Sequence, residues 1–386
     1  MTRFLPVFAA LIFACSVSCR KTAEKAVLSA ETAVTKAEDS VRYAKGFRIE
    51  NGSGFTRISV LNPWNGNRIL QAYVLVPRNA ALPEKLPEGT LIRTPLERTV
   101  CYNSVQCSFF NEIGVLNTLV GVCEPNQIRM SQIADAVREK RIANLGMAAN
   151  PDIEKLMLAE PEAIFATPFE GTDYGAVIRL GIPIIQCPDY MEQSPLGRAE
   201  WIRFFAQFFE RNNEADSLFR TTEQHYNETK KLTVKSARRP TVFSETMYGG
   251  VWYLPGGGSY MAKLFADAGA DYIWKDDEHA GSLGLPLEAV LEKAENADFW
   301  LIKYSSGNAL TYNSLKSENS NYALFAAWKN RKIFACNTGK IAYYEETAVH
   351  PDRLLNNLAA IFHPEIHASA EYSYFENPES DKNGQF

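Results

Sequence analysis

The stretch NPDIEKLMLAEPEAIFAT, residues 150–167, sets a carboxylate in the first turn of a short helix, stops that helix at an acid–proline step and runs straight into an apolar strand. A second copy of the pattern, LPLEAVLEKAENADFWLI at 285–302, puts Glu288 where the first has Glu154, an offset of 134 residues. A chain that repeats one helix–strand unit at that distance is organised as two similar lobes.

Outward from the first unit, short apolar runs alternate with helical segments. RTVCYN, LVGVCE, EAIFAT, AVIRLG and IPIIQC read as strands, with a helix through FFNEIGVLNTL, and this alternation is the signature of a parallel sheet covered on both faces. Upstream, GFTRISVLNPW and ILQAYVLVP form a hairpin expected at the edge of that sheet. Between Gly197 and Pro240 there is no Gly or Pro; one helix is expected near 198–211 and a longer one from about 214 to 236, with Asn213 as its N-cap. Such a helix is about 35 Å long at roughly 1.5 Å per residue, enough to run from one lobe to the next. A continuous helix is also a stiff hinge, so only small closure of the cleft is expected. Beyond it the alternation resumes with GSYMAKLFADAGADYIW, the Glu288 unit, the strand KIFAC and an amphipathic helix in HPDRLLNNLAAIFHPEI. The expected division is a leader over 1–18, a tether over 19–45, an N-terminal lobe over 46–212, the linking helix over 213–237, a C-terminal lobe over 238–375 and a frayed tail over 376–386.

The leader MTRFLPVFAALIFACSVS carries one early positive charge and an apolar run too short to span a bilayer, as a signal peptide does. Its ending SVSC resembles a bacterial lipobox, which implies a diacylated Cys19 as the first mature residue and a protein held at the cell envelope facing the periplasm. A net charge of −5 and the lack of a sustained basic block exclude nucleic acid as a partner. Of the seven cysteines, five follow the leader and Cys19, an odd number without Cys-x-x-Cys spacing; Cys101, Cys123 and Cys187 sit in or beside apolar strands as buried thiols.

The order of these units resembles the helix-linked (class III) substrate-binding lipoproteins of ABC importers for iron chelates, haem and cobalamin. IEKLMLAEPEAIFAT resembles that family's helix-to-strand unit, LGIPIIQC its Gly-Ile-Pro strand, LFADAGADYIWKD the end of a second-lobe helix, and PLEAVLEKAENADFWLI the second-lobe glutamate unit. The resemblance spans roughly 94–364. It implies an α/β fold of two three-layer lobes with parallel-type sheets joined by one long helix, a monomer without intrinsic cofactor or metal of its own, and a metal chelate as ligand. It further implies delivery to an ABC permease and its ATPase, with Glu154 and Glu288 as the two docking carboxylates. A first-turn carboxylate suits that role, because the helix dipole favours it while its outer oxygen stays free for an arginine.

In open α/β lobes ligands bind beyond the carboxyl ends of the parallel strands, and the residues there are largely aromatic. Tyr102, Phe169 and Tyr190 follow strands of the first lobe; Trp252, Tyr253, Tyr304, Tyr343 and Tyr344 follow those of the second. Such rings supply flat apolar area at small entropy cost. Arg198 sits between the lobes and either meets an anionic group of the ligand or caps Glu192 or Glu200; Trp274 and Trp300 are assigned to packing. In YLPGGGSYMAKLF the three glycines lack the Gly-Lys-Ser ending of a phosphate loop, so a flexible cleft-edge loop with Ser259 as helix N-cap is expected. No nucleophile elbow or His-Glu-x-x-His motif is present, and no catalytic residue is expected. Pro364 breaks the helix that would align His363 with His367. Cobalamin remains the alternative ligand, and a tetrapyrrole metal chelatase using His279 is the alternative from another class.

Overall fold

The structure is a computed structural model and describes residues 41–66, 68–365 and 373–378. The leader, Cys19, the tether up to residue 40, His367 and the tail from residue 379 lie outside the described residues. Two parallel sheets form the centres of the two lobes. In the first, the order is Ile184–Gln186, Ala163–Ala166, Thr99–Cys101, Leu119–Val122 and Ala143–Asn144. In the second it is Asp271–Tyr272, Thr241–Ser244, Phe299–Tyr304 and Ile333–Asn337. The central strands are buried on both faces, which is why they read as continuous apolar runs.

Each lobe has its own aromatic core. The first is built around WIRFFAQFFE, whose rings fill the space behind the sheet: Phe109 stacks on Phe205 at 4.6 Å, and Phe110 meets Phe165 edge-on at 5.0 Å. In the second, Phe243, Trp300 and Phe325 cluster at 4.8 to 5.3 Å, and Trp274 and Trp300 are both buried there. The helix Asn212–Thr233 joins the two, placing Phe219 in the first core and Tyr226 in the second. At 22 residues it is about 33 Å long. It starts earlier than expected: Arg211 holds the N-cap position without a side-chain cap, and Asn213 lies inside the helix. Among the described residues no helix is long and apolar enough to cross a membrane.

Several local expectations are corrected. The hairpin Phe55–Leu61 with Ile69–Pro77 belongs to a separate sheet with Phe47–Gly52 and Thr90–Thr94. That sheet docks on the lobe sheet through Tyr73, whose hydroxyl donates to Ile184 O at 3.0 Å and accepts from Gln186 N at 2.7 Å. AVIRLG is a 3₁₀ helix, Gly175–Leu180, not a strand. The glycines at 256–258 form a packed loop and not a flexible one: a Cβ on Gly256 would stand 2.2 Å from His279 O, and one on Gly257 2.2 Å from Asp277 O. Ser259 does cap the following helix, accepting from Ala262 N at 3.2 Å. The C-terminal lobe extends past residue 375: Tyr374 and Phe375 are buried within it, and Glu376, expected in the tail, pairs with Ala335 in both directions, at 2.8 and 3.0 Å. The five described cysteines are free and buried.

Residues 41–45 are part of the body as well. Two carboxylates take up the backbone N–H groups of this strap in turn. Glu200 accepts from Arg42, Tyr43 and Ala44 at 2.6 to 3.0 Å, and Glu192 accepts from Lys45 and Gly46 at 2.8 to 3.1 Å. Tyr43 then reaches the linking helix, donating to Glu223 at 2.5 Å and packing on Phe219. The strap enters the molecule at the junction of lobe and linker.

Candidate ligand cleft

The parallel strands deliver their next residues to one edge of each lobe. On the first lobe this edge holds a cavity of about 470 Å³ lined by Tyr102, Asn103, Glu124, Thr167, Phe169 and Tyr174. Its walls are fixed by a capping box: Asn103 Oδ1 accepts from Gln106 N at 3.0 Å, and Gln106 Oε1 accepts from the Tyr102 and Asn103 amides at 2.9 and 3.2 Å. Both side-chain amides turn toward the Thr167 hydroxyl. Tyr102 is only 4% exposed, and neither its hydroxyl nor that of Tyr174 has a hydrogen-bond partner among the described residues. Burial pushes both phenols above the usual range, so both stay neutral, with their hydroxyls behind the cavity wall.

Between the lobes lies a second cavity of about 430 Å³. Tyr190 and Met191 line it from the first lobe, and Glu245, Tyr253, Tyr260 and Lys303 from the second. Tyr190 packs against Phe169 at 5.6 Å and donates to Pro168 O at 3.1 Å. The Phe169–Tyr190 pair is therefore the shared wall of the two cavities. At the floor Lys303 forms an ion pair with Glu245. Burial works against the Lys303 ammonium, but the Glu245 carboxylate outweighs it and holds the pKa above the ordinary value, so Lys303 stays charged. Glu245 has a left-handed backbone, φ 67°, costly for a residue with a Cβ and typical of functional positions.

Glu154 and Glu288 both lie exposed in the first turns of their helices, Ile153–Ala159 and Leu287–Ala294. Neither has an ion-pair partner among the described residues. Beside Glu154, Met157 and Leu158 are exposed on the same helix.

Residues 100–338 match the family model described as periplasmic binding protein. The chain belongs to that family. It is a family of substrate-binding proteins, not of enzymes, and the fold is its bilobal, helix-linked α/β type. An uncharacterized lipoprotein of Methanocaldococcus jannaschii is 28% identical over 366 residues, covering 87% of this chain and 84% of its own. The solved Fe3+-hydroxamate transport protein of Saccharomonospora viridis superposes with a TM-score of 0.55 at 20% identity, covering 70% of this chain and 94% of its own. A periplasmic haem-binding protein of Pseudomonas aeruginosa gives 0.55 at 16%, covering 73% and 98%. These two likenesses are of fold.

Within this periplasmic binding protein the sequence-selected residues separate. Tyr102, Phe169, Tyr190 and Tyr253 line the two cavities. Trp252 does not: strand residues alternate sides, and with Tyr253 facing the cleft the Trp252 ring is fully buried, donating to Ser244 O at 2.9 Å. Tyr304 lines a different cavity of about 170 Å³, beside Leu310 and Asn337. Tyr343 is buried at the start of the helix Tyr343–Val349, under Lys303 at 5.9 Å, whereas Tyr344 stands half exposed. Arg198 caps neither Glu192 nor Glu200; its Nε donates to Asp189 Oδ2 at 3.0 Å and its guanidinium lies 5.9 Å from the Tyr260 ring centre, tying the lobes together. Sequence reading missed Tyr174, Glu245, Tyr260 and Lys303. A charged residue closing the buried run FWLIK was the available signal for the last.

Proposed function

We propose that this chain is the substrate-binding component of an ABC importer, capturing an iron chelate, siderophore or haem, or a related metal-organic cofactor, and handing it to the permease. The observation that carries this reading is the pair of adjoining aromatic-walled cavities, about 470 and 430 Å³, at the carboxyl edges of the strands. Together they suit a flat or bulky guest, with the Lys303–Glu245 pair in the second to orient its polar groups. The exposed carboxylates Glu154 and Glu288 support docking on the permease, and the lipoprotein name of the archaeal relative supports a lipid at Cys19.

Fluorescence titration with haem, cobalamin and ferric siderophores tests the ligand. One class is expected to bind saturably, and Tyr190→Ala to weaken it about tenfold through loss of the shared aromatic wall. No saturable binding by any class contradicts the reading. For the anchor, Cys19→Ser is expected to move the protein from the membrane to the soluble fraction; a variant that stays with membranes places the anchor elsewhere.

A further inference from the structure

The first-lobe cavity does not end at Phe169. Phe169 and Thr172, which line it, also line a neighbouring cavity of about 390 Å³, closed on its far side by Leu70, Gln186 and the loop that carries Trp64. That loop belongs to the separate N-terminal sheet, where it joins the strands Phe55–Leu61 and Ile69–Pro77, and it precedes residues 100–338, which carry the family match. Two aromatic residues from two different sheets therefore line one space, at the carboxyl edge where the strand Ile184–Gln186 ends.

Both residues sit on tied turns. Asn62 Oδ1 accepts from the Trp64 and Asn65 amides at 2.9 and 3.0 Å, and Asn62 N donates to Arg68 O at 2.8 Å to close the loop. The Phe169 amide donates to the Thr172 hydroxyl at 2.6 Å, and that hydroxyl donates back to Phe169 O at 2.8 Å, so the ring is held in place while 64% exposed. Among the described residues Phe169 makes one ring contact, with Tyr190, and the half-buried Trp64 makes none. The other tryptophans differ: Trp201, Trp252, Trp274 and Trp300 are buried, and Trp328 packs edge-on against Tyr312 at 5.0 Å. An exposed phenyl and an unstacked indole fixed around one space gain their apolar burial from a guest, and flat π faces select a flat one.

We infer that Trp64 is a specificity-determining residue of the cleft, and that the guest carries a flat conjugated portion, an aryl ring or the edge of a macrocycle, which passes out of the first-lobe cavity over Phe169 and lies against the indole. A compact chelate with aliphatic linkers alone has nothing to place there. The inference rests on the chelate-binding reading above and narrows its substrate class.

Calorimetric titration of the full-length protein with haemin, cyanocobalamin, a ferric tris-catecholate and an aliphatic ferric tris-hydroxamate tests this. One of the three conjugated chelates is expected to bind about tenfold or more tightly than the hydroxamate. Trp64→Ala is expected to weaken it about tenfold, and Trp64→Phe, which keeps a ring, by less than about threefold. A second measurement leaves the side chain in place. In protein labelled with 5-fluorotryptophan, the fluorine resonance that Trp64→Phe removes is expected to shift when the diamagnetic form of the bound chelate (zinc protoporphyrin, cyanocobalamin or the gallium tris-catecholate) is added, while the Trp328 resonance stays in place. Saturable binding that leaves the Trp64 resonance unmoved, or that Trp64→Ala leaves unchanged, overturns the inference and not the chelate-binding reading. So does tighter binding of the hydroxamate. No saturable binding by any of the four overturns both.

Discussion

Replacing Glu200 with alanine is expected to destabilise the protein by about 3–5 kcal/mol, the scale of removing one partner from a buried charged network. Glu200 is fully buried and accepts from the Arg42, Tyr43 and Ala44 amides and from Arg203 Nη1 at 2.9 Å. The variant leaves those amides without an acceptor and Arg203 with Asp216 alone among these partners. Against a typical total of about 5–15 kcal/mol, the loss shows as a large drop in the urea midpoint. Glu200→Gln, which keeps one carbonyl oxygen, loses less. A change under about 1 kcal/mol in the alanine variant contradicts the role assigned to the strap.

Reversing both Glu154 and Glu288 to lysine is expected to abolish uptake of the cognate chelate in cells while ligand affinity stays within a few-fold. The positions are exposed, lie in first turns and have no internal ion-pair partner among the described residues, so the folded state does not depend on them. If the two carboxylates dock on basic groups of the permease, as proposed, two lysines there convert attraction into repulsion on both lobes. Unchanged uptake, or loss of ligand binding with normal permease association, removes the docking assignment.

The lobes were legible because their signal is repeated. A first-turn glutamate, a short helix and an apolar strand occur twice, and the buried strands between are apolar throughout. The linking helix was legible from the gap in Gly and Pro, although its N-cap was not: the helix starts at Asn212 behind Arg211, which makes no side-chain cap, so the capping propensity of Asn213 goes unused. Which aromatic faces the cleft was only partly legible. Trp252 and Tyr253 are neighbours in one strand, and pleat parity sends one to the core and the other to the cleft; nothing in the pair of residues says which. The strap was hidden for another reason. Its hydrogen bonds run from backbone N–H groups to Glu192 and Glu200, well over a hundred residues away, and backbone donors leave no mark in a sequence. Lys303 and Glu245 were likewise hidden by distance, since the pair forms only when two parallel strands lie side by side.

The central claim is that the cleft holds a metal chelate intact. Native mass spectrometry after equilibration with the chelate that binds in titration tests it most directly. One adduct per chain is expected, with the mass of the unaltered chelate including its metal, and it is expected to be lost in a Tyr102→Ala/Tyr190→Ala double variant that remains folded. An adduct of demetallated ligand, or one that persists undiminished in the double variant, would contradict the account.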